Sequence, residues 1–219
     1  METLPSWEHR SGGRYELGLT HDVISGSTAD MSDREAALAS ETALFPDVVE
    51  LAADAGPAQE KVLLVLGAGG WASDRPEHAL RLVPIVTEEL WAVYERERVL
   101  VEEPFGAGPA QVAAMIDVLR KRAHDLGLAM LLGTVGEEPV AAVGYFEVPG
   151  HPGCVRLQEV DVFPRYQGRG HGNDLMAAVT VRLRTAGLSP ILIGADEDDW
   201  PLAWYRRHGF DDVCRVAAR

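Results

Sequence analysis

Basic side chains are scarce in this chain. Twenty Lys and Arg stand against 34 Asp and Glu, a formal net charge of −14. A surface that grips nucleic acid is normally basic, so the deficit argues against a nucleic-acid partner. It is compatible with a cationic acceptor such as an amine, but a solubilising acidic surface is the commoner explanation, so charge alone chooses no substrate. Cysteine is limited to Cys154 and Cys214, which show neither metal-ligand spacing nor a redox pair. Two cysteines leave one disulfide open but are too few for the framework of a small secreted domain. Long hydrophobic runs are also missing. Val62–Leu66 falls far short of a membrane span, and residues 1–20 hold no apolar core of signal-peptide length. The expectation is a reduced, cytoplasmic protein with no membrane partner. Two nucleotide-binding patterns are absent as well: no Gly-x-x-x-x-Gly-Lys-Ser/Thr loop occurs, and no Gly-x-Gly-x-x-Gly turn follows an early strand.

What is present is concentrated in the last third. An apolar strand over Val155–Phe163 ends at Pro164 and runs into a turn carrying Gln167, Gly168, Gly170 and Gly172. A helix is expected to open at Asn173 and Asp174, with Leu175, Val179 and Leu183 at helical spacing. Glycines let backbone N–H groups approach a diphosphate, and the unpaired first amides of a helix favour negative charge there. Arg165 and Arg169 are expected to add mobile positive charge at the rim. A tight structural turn is the plainer reading of the same residues. Further on, Pro190–Ala195 reads as a short buried strand. After it, Asp198 or Asp199 can cap a helix beginning beside Pro201 and carrying Leu202, Trp204 and Tyr205. Gly209 is the natural stop for that helix.

The run Gln167-Gly168-Arg169-Gly170-His171-Gly172 resembles the Gln/Arg-x-x-Gly-x-Gly pyrophosphate loop of the GNAT superfamily of N-acetyltransferases. Tyr205-Arg206-Arg207-His208-Gly209-Phe210 resembles the same superfamily's second hallmark, a tyrosine ahead of Gly-Phe that faces the coenzyme thiol. The resemblance implies an α/β (α+β) fold of GNAT type: a central mixed, mostly antiparallel sheet flanked by helices. It implies acetyl coenzyme A as co-substrate, with no metal, held by Val160, Val162, Phe163, Gln167, Gly168, Arg169, Gly170, His171, Gly172 and Asn173. Tyr205 is then the candidate acid for the departing thiolate, or else an aromatic packed behind the coenzyme. Glu159 and Asp161, on the strand entering the turn, are candidate general bases. Strand alternation puts them on one face unless a bulge separates them, and Glu159 sits deeper. Either is alternatively solvent-exposed or bonded to a neighbouring arginine. His171 is better read as a tolerated loop position, and Trp91 and Tyr94 as core.

Two departures stand out. Asp198 and Pro201 occupy places where relatives often carry asparagine and alanine, and Trp200 and Trp204 suggest a bulkier wall. The chain also ends nine residues after Phe210, whereas relatives usually finish with a two-strand hairpin, so the last strand is shortened or supplied differently.

Residues 79–219 lay out as the acetyltransferase domain. A strand over Ala79–Val86 leads to a helix capped by Thr87. A second helix opens at Pro109 with Val112, Met115, Ile116 and Leu119 on one face. Strands over Leu128–Val135 and Val140–Val148 flank a Gly136 turn. Residues 1–78 form an extra N-terminal α/β segment: strands at Tyr15–Val23 and Lys61–Leu66, a helical stretch over Ser32–Ala53 broken at Pro46, and turns at Ser11–Gly13 and Ser25–Asp30. A degenerate half-domain, an extra packed layer and a lid over the acceptor groove all fit it. The Gly67–Gly70 run reads as a turn, since no amphipathic helix follows it. The implied activity is transfer of acetyl to the primary amine of a small molecule, by direct attack and without a covalent enzyme intermediate. A non-catalytic acyl-coenzyme-A-sensing module and a protein lysine or N-terminal acetyltransferase remain alternatives, and a homodimer is left open.

Overall fold

A computed structural model of the chain describes residues 17–18, 31–44, 59–67, 70–71 and 80–218. By their contacts these residues fall into two units, neither of them a continuous stretch. One takes residues 80–146 and 157–186; the other takes the described residues before 72 together with 147–156 and 187–218.

In the first unit, β3 (Leu80–Pro84) pairs antiparallel with β4 (Ala129–Val135), and β4 with β5 (Glu138–Glu147). Next in order beside β5 comes β6 (Val155–Val162), whose first two residues belong to the second unit. Gly136, at φ +60°, turns the chain between β4 and β5. Helix α2 (Glu88–Glu102) starts where the Thr87 hydroxyl accepts the Leu90 N–H at 3.4 Å. Helix α3 (Pro109–Asp125) starts at its proline, whose missing N–H would have no helical acceptor anyway. Its expected apolar face is the buried one: Val112, Met115, Ile116 and Leu119. Helix α4 (His171–Thr185) buries Leu175, Val179 and Leu183 completely, one residue per turn, and packs on β3.

The second unit holds β7 (Ile191–Asp196), α5 (Trp200–Arg207) and β8 (Phe210–Ala218), joined by three elements from far upstream. These are β1 (Leu17–Gly18), α1 (Met31–Leu44) and β2 (Gln59–Leu66). The strand order is β1-β8-β2-β7-β6. β2 lies between β7 and β8 and is antiparallel to both, with Leu63 opposite Gly194 on one side and Cys214 on the other. The final strand is therefore not shortened into isolation: β2, the strand expected at Lys61–Leu66, supplies its neighbour. β6 joins β7 in parallel through two pairs, Val155 with Ile191 and Arg156 with Leu192. Ala36 and Ala37 of α1 pack into a core with Leu63, Val65, Leu192, Val213 and Val216. The alanines let the helix approach the sheet closely.

Of the other upstream expectations, Leu17–Gly18 within Tyr15–Val23 is strand and residues 32–44 of Ser32–Ala53 are helix, the rest of both segments lying outside the described residues. The break expected at Pro46, the turns at Ser11–Gly13 and Ser25–Asp30, and Ala79 lie outside the described residues. The Gly67–Gly70 run is closed by a bond from the Gly70 N–H to the Gly67 carbonyl at 3.2 Å, as a turn requires.

Cys154 and Cys214 are free thiols buried in the core of the second unit. Burial pushes the Cys154 thiol up to about 12 and the Cys214 thiol up to about 11. Thiolate is the reactive form, so at pH 8 both should react at least about a hundredfold more slowly than free cysteine. A disulfide-exchange reagent should report no rapidly reacting thiol in the native protein and two after denaturation. Fast labelling of either thiol in the native protein would contradict this packing.

Candidate functional site

Phe163 follows the strand fully buried, its N–H donating to the Val140 carbonyl at 3.0 Å. Pro164–Tyr166 form a single 3-10 turn, and the Gln167 side chain donates back to the Val162 carbonyl at 3.1 Å. The chain then passes through two left-handed glycines, Gly168 at φ +73° and Gly170 at φ +87°. Gly170 is the N-cap of α4, so the helix opens at His171, two residues before the expected Asn173. The reason is conformational: a left-handed cap swings the chain directly into the first helical turn. The first helical bond runs from the Asp174 N–H to the Gly170 carbonyl at 3.1 Å. The amides of His171, Gly172 and Asn173 precede it, at the positive end of the helix. Gly168 and Arg169 are exposed, and Val160, Val162 and Gly170 to Asn173 are half-buried. This geometry fits a diphosphate, which needs convergent amides and no intervening side chain.

Arg165 is not the mobile charge expected. Its guanidinium binds the Glu97 carboxylate of α2 at 3.0 Å and lies 5.5 Å from the Tyr166 ring centre. Glu97 is itself buried, its side chain 2% exposed. A buried carboxylate on a helix needs a cation, and Arg165 is placed to supply it. The Tyr166 hydroxyl donates to Glu138, which raises its pKa. Arg169 stands 6.0 Å over the same ring. The turn is thus tied to α2 and β5 by side chains that flank the amides. Among the described residues, His171 Nδ1 is buried without a hydrogen-bond partner, the carboxylate of Asp174 standing at 3.7 Å.

The two candidate bases meet at one cation. Glu159 takes φ +50°, a left-handed conformation rare outside glycine, so the strand's regular alternation breaks there. Both carboxylates nevertheless reach Arg98 Nη1 of α2, Glu159 at 2.5 Å and Asp161 at 2.5 Å. Arg98 Nη2 pairs with Glu102 at 2.7 Å, and the Tyr94 hydroxyl donates to Asp161 Oδ2 at 3.2 Å. Burial alone would lower the pKa of Arg98, but Asp161, Glu159, Tyr94 and Glu102 outweigh it and raise the value instead. Tyr94, Arg98 and Glu102 follow each other at four-residue steps, so α2 presents them on one face. Tyr94 is core, as expected, but its hydroxyl belongs to this network; Trp91 is core with Arg120 over its ring at 4.9 Å. Nothing in the sequence singled out Glu97, Arg98 or Glu102. The signal available was a run of ionisable residues at the heptad-like positions of α2 that ought to be apolar.

In the second unit, Asp199 rather than Asp198 caps α5, accepting the Trp200 N–H at 2.8 Å. The helix ends as expected at Gly209, φ +96°. Tyr205 is 5% exposed and its ring packs 5.5 Å from Phe210 and 5.1 Å from Trp204. Trp71 stacks on His208 at 4.3 Å, while Trp200 is 71% exposed. Beneath lies a buried charge group: Arg156 Nη2 pairs with Glu41 Oε2 at 3.0 Å, and Lys61 with Glu41 Oε1 at 2.8 Å. Burial lowers the pKa of Arg156, and the carboxylate of Glu41 opposes that shift. A Cβ on Gly194 would run into Arg156 Nη2, so a larger residue at this strand position would have to displace the guanidinium.

The fold is shared with solved proteins. A functionally unknown conserved protein from Staphylococcus epidermidis ATCC 12228 superposes with a TM-score of 0.55 at 17% identity, over 74% of this chain and 61% of that one. An acetyltransferase from the GNAT family from Colwellia psychrerythraea gives 0.54 at 11% identity, over 73% and 55%. A GCN5-related N-acetyltransferase from Sphaerobacter thermophilus gives 0.51 at 17% identity, over 74% and 51%. At these identities the likeness is one of fold, and the chain spans about half to three-fifths of those proteins' lengths. Residues 87–210, from the cap of α2 to the Gly-Phe that closes α5, match the family model for the Acetyltransferase (GNAT) family. That match covers more than half of the sequence and contains both glycine motifs, so the chain belongs to the GNAT acetyltransferase family.

Proposed function

We propose that the protein transfers the acetyl group of acetyl coenzyme A to the primary amine of a small molecule, by direct attack. The observation that carries this reading is the turn from Gln167 to Gly172. Its two left-handed glycines and the amides of His171, Gly172 and Asn173 form a cradle for the coenzyme's diphosphate. Val160, Val162 and Phe163 lead into that cradle and Asn173 closes it, so they are the residues assigned to the coenzyme.

The acceptor enters as an ammonium ion and must lose a proton to become a nucleophile. A carboxylate of β6 takes that proton. The amine nitrogen then attacks the thioester carbonyl carbon, forming the C–N bond and a tetrahedral oxyanion. Collapse breaks the C–S bond. Sulfur receives the Tyr205 phenolic proton, the nitrogen loses its extra proton, and that proton restores Tyr205. One proton is released per turnover. An unperturbed phenol, near pKa ~10, stays protonated at neutral pH and so is ready to donate.

Thiol release from acetyl coenzyme A over a panel of small amines tests the reaction. Turnover with a small amine is expected. Tight coenzyme binding with no turnover would make the chain a sensor, and turnover confined to lysine-bearing peptides would make it a protein acetyltransferase. Tyr205→Phe should lower kcat about 30-fold while leaving coenzyme affinity unchanged. This lies below the ~100-fold minimum usual for a general acid, because a thiolate is a good leaving group. Equal kcat for both forms would reduce Tyr205 to a packing residue.

A further inference from the structure

We infer that Asp161, not the deeper Glu159, accepts the proton of the incoming ammonium, and that Tyr94 and Arg98 are the positioning residues that aim it. This rests on the acetyl-transfer reading above and selects between the two carboxylates it leaves open.

Three carboxylates, Glu102, Glu159 and Asp161, share the single guanidinium of Arg98. These four side chains form one cluster. Its members differ sharply in access. The side chains of Glu102, Glu159 and Arg98 are 2%, 3% and 6% exposed, whereas that of Asp161 is 14% exposed. Tyr94 is wholly buried. An ammonium arriving from solvent therefore meets Asp161 first. Glu159 is held back by its left-handed backbone and by its deeper burial.

The hydrogen bonds divide Asp161 in two. Among the described residues, Oδ2 takes both the Tyr94 hydroxyl at 3.2 Å and Arg98 Nη1 at 2.5 Å. Oδ1 takes neither. One oxygen is thus anchored by two donors from the same face of α2, which fixes the plane of the carboxyl and the direction of the other oxygen. Oδ1 accepts the ammonium proton: an N–H bond breaks, an O–H bond forms, and the amine keeps the electron pair with which it attacks. The proton then leaves to solvent through the exposed edge, restoring the carboxylate. A base held by two donors loses little orientation freedom on binding its partner, which is the advantage of an anchored group.

The test is a double-mutant cycle on acetyl transfer to whichever small amine the unaltered protein turns over best. Asp161→Asn should lower kcat about 50-fold and Tyr94→Phe about fivefold, with the coenzyme KM unchanged in both. If Tyr94 acts through Asp161, the Tyr94→Phe/Asp161→Asn double variant should be no slower than Asp161→Asn alone. Glu159→Gln should lower kcat less than Asp161→Asn does. Tyr94→Phe removes one oxygen and leaves the ring in the core, so it reports on aim even if a charge change in the cluster lowers stability. Losses that multiply in the double variant, or a larger kcat loss in Glu159→Gln, overturn the inference while leaving acetyl transfer intact. No turnover of any amine by the unaltered protein overturns the reading beneath it, and the inference with it.

Discussion

Glu41→Ala should lower the free energy of unfolding by roughly 3–5 kcal/mol, because it strands a buried cation. Arg156 is 1% exposed, and its Nη2 pairs with Glu41 at 3.0 Å; the same carboxylate holds Lys61 at 2.8 Å. Burial already lowers the pKa of Arg156, and Glu41 is the largest opposing influence. Removing it leaves the guanidinium charged in a low-dielectric setting, since Arg156 stays buried on its strand. Glu41 lies on α1 and Arg156 on β6, 115 residues apart, so the loss also measures how firmly the upstream segment is built into this unit. Chemical denaturation of the full chain would show a lower midpoint with little change in slope. A loss below about 1 kcal/mol, the range of an exposed pair, would mean that α1 merely rests on the sheet.

The structure separates what local chemistry announces from what only a folded chain can reveal. Thr87, Pro109, Gly136 and Gly209 each mark a boundary that the chain observes, because a cap, a missing N–H or a left-handed turn acts within four residues. The glycine turn and the Gly-Phe stop of α5 were legible for the same reason. The place of β2 was not. Its short unbroken apolar run, Val62–Leu66, suits a buried strand, but nothing local says that it enters between β7 and β8. Pairing partners across such distances are selected by which buried faces remain open, a property of the assembled sheet. The site shows the same division. Glu159 and Asp161 were visible as a carboxylate pair, and an arginine partner was one of the readings left open. That the partner is Arg98, 63 residues from Asp161, depends on where α2 packs. The left-handed Glu159 was hidden too, because glutamate gives no sign of a conformation imposed on it from outside. Arg165 looks like a free rim charge in the sequence for the complementary reason: its pairing needs the buried Glu97, whose burial no neighbour in sequence predicts.

Gly170→Val should weaken coenzyme A binding more than about a hundredfold. Gly170 caps α4 at φ +87°, where an L side chain costs roughly 1–2 kcal/mol and a β-branched one more. To escape that strain the chain must rotate the peptide entering His171, which turns amides of the cradle away from a shared centre. Each charge-assisted hydrogen bond lost to a phosphate is worth about 1.5–3 kcal/mol, so losing two passes a hundredfold. Gly168→Ala is the informative contrast. Gly168 also has a positive φ, +73°, but nothing lies within 4 Å of the Cβ it would gain. It should show strain without obstruction and lose about tenfold or less. Arg169→Ala should lose still less, because the residue is exposed and its charge is screened by salt. Calorimetric titration of coenzyme A into the three variants gives the order directly, with circular dichroism confirming that α4 still forms. An unchanged affinity in Gly170→Val would take the diphosphate away from this turn. A loss in Arg169→Ala equal to that in Gly170→Val would shift recognition from the amides to the side-chain charge.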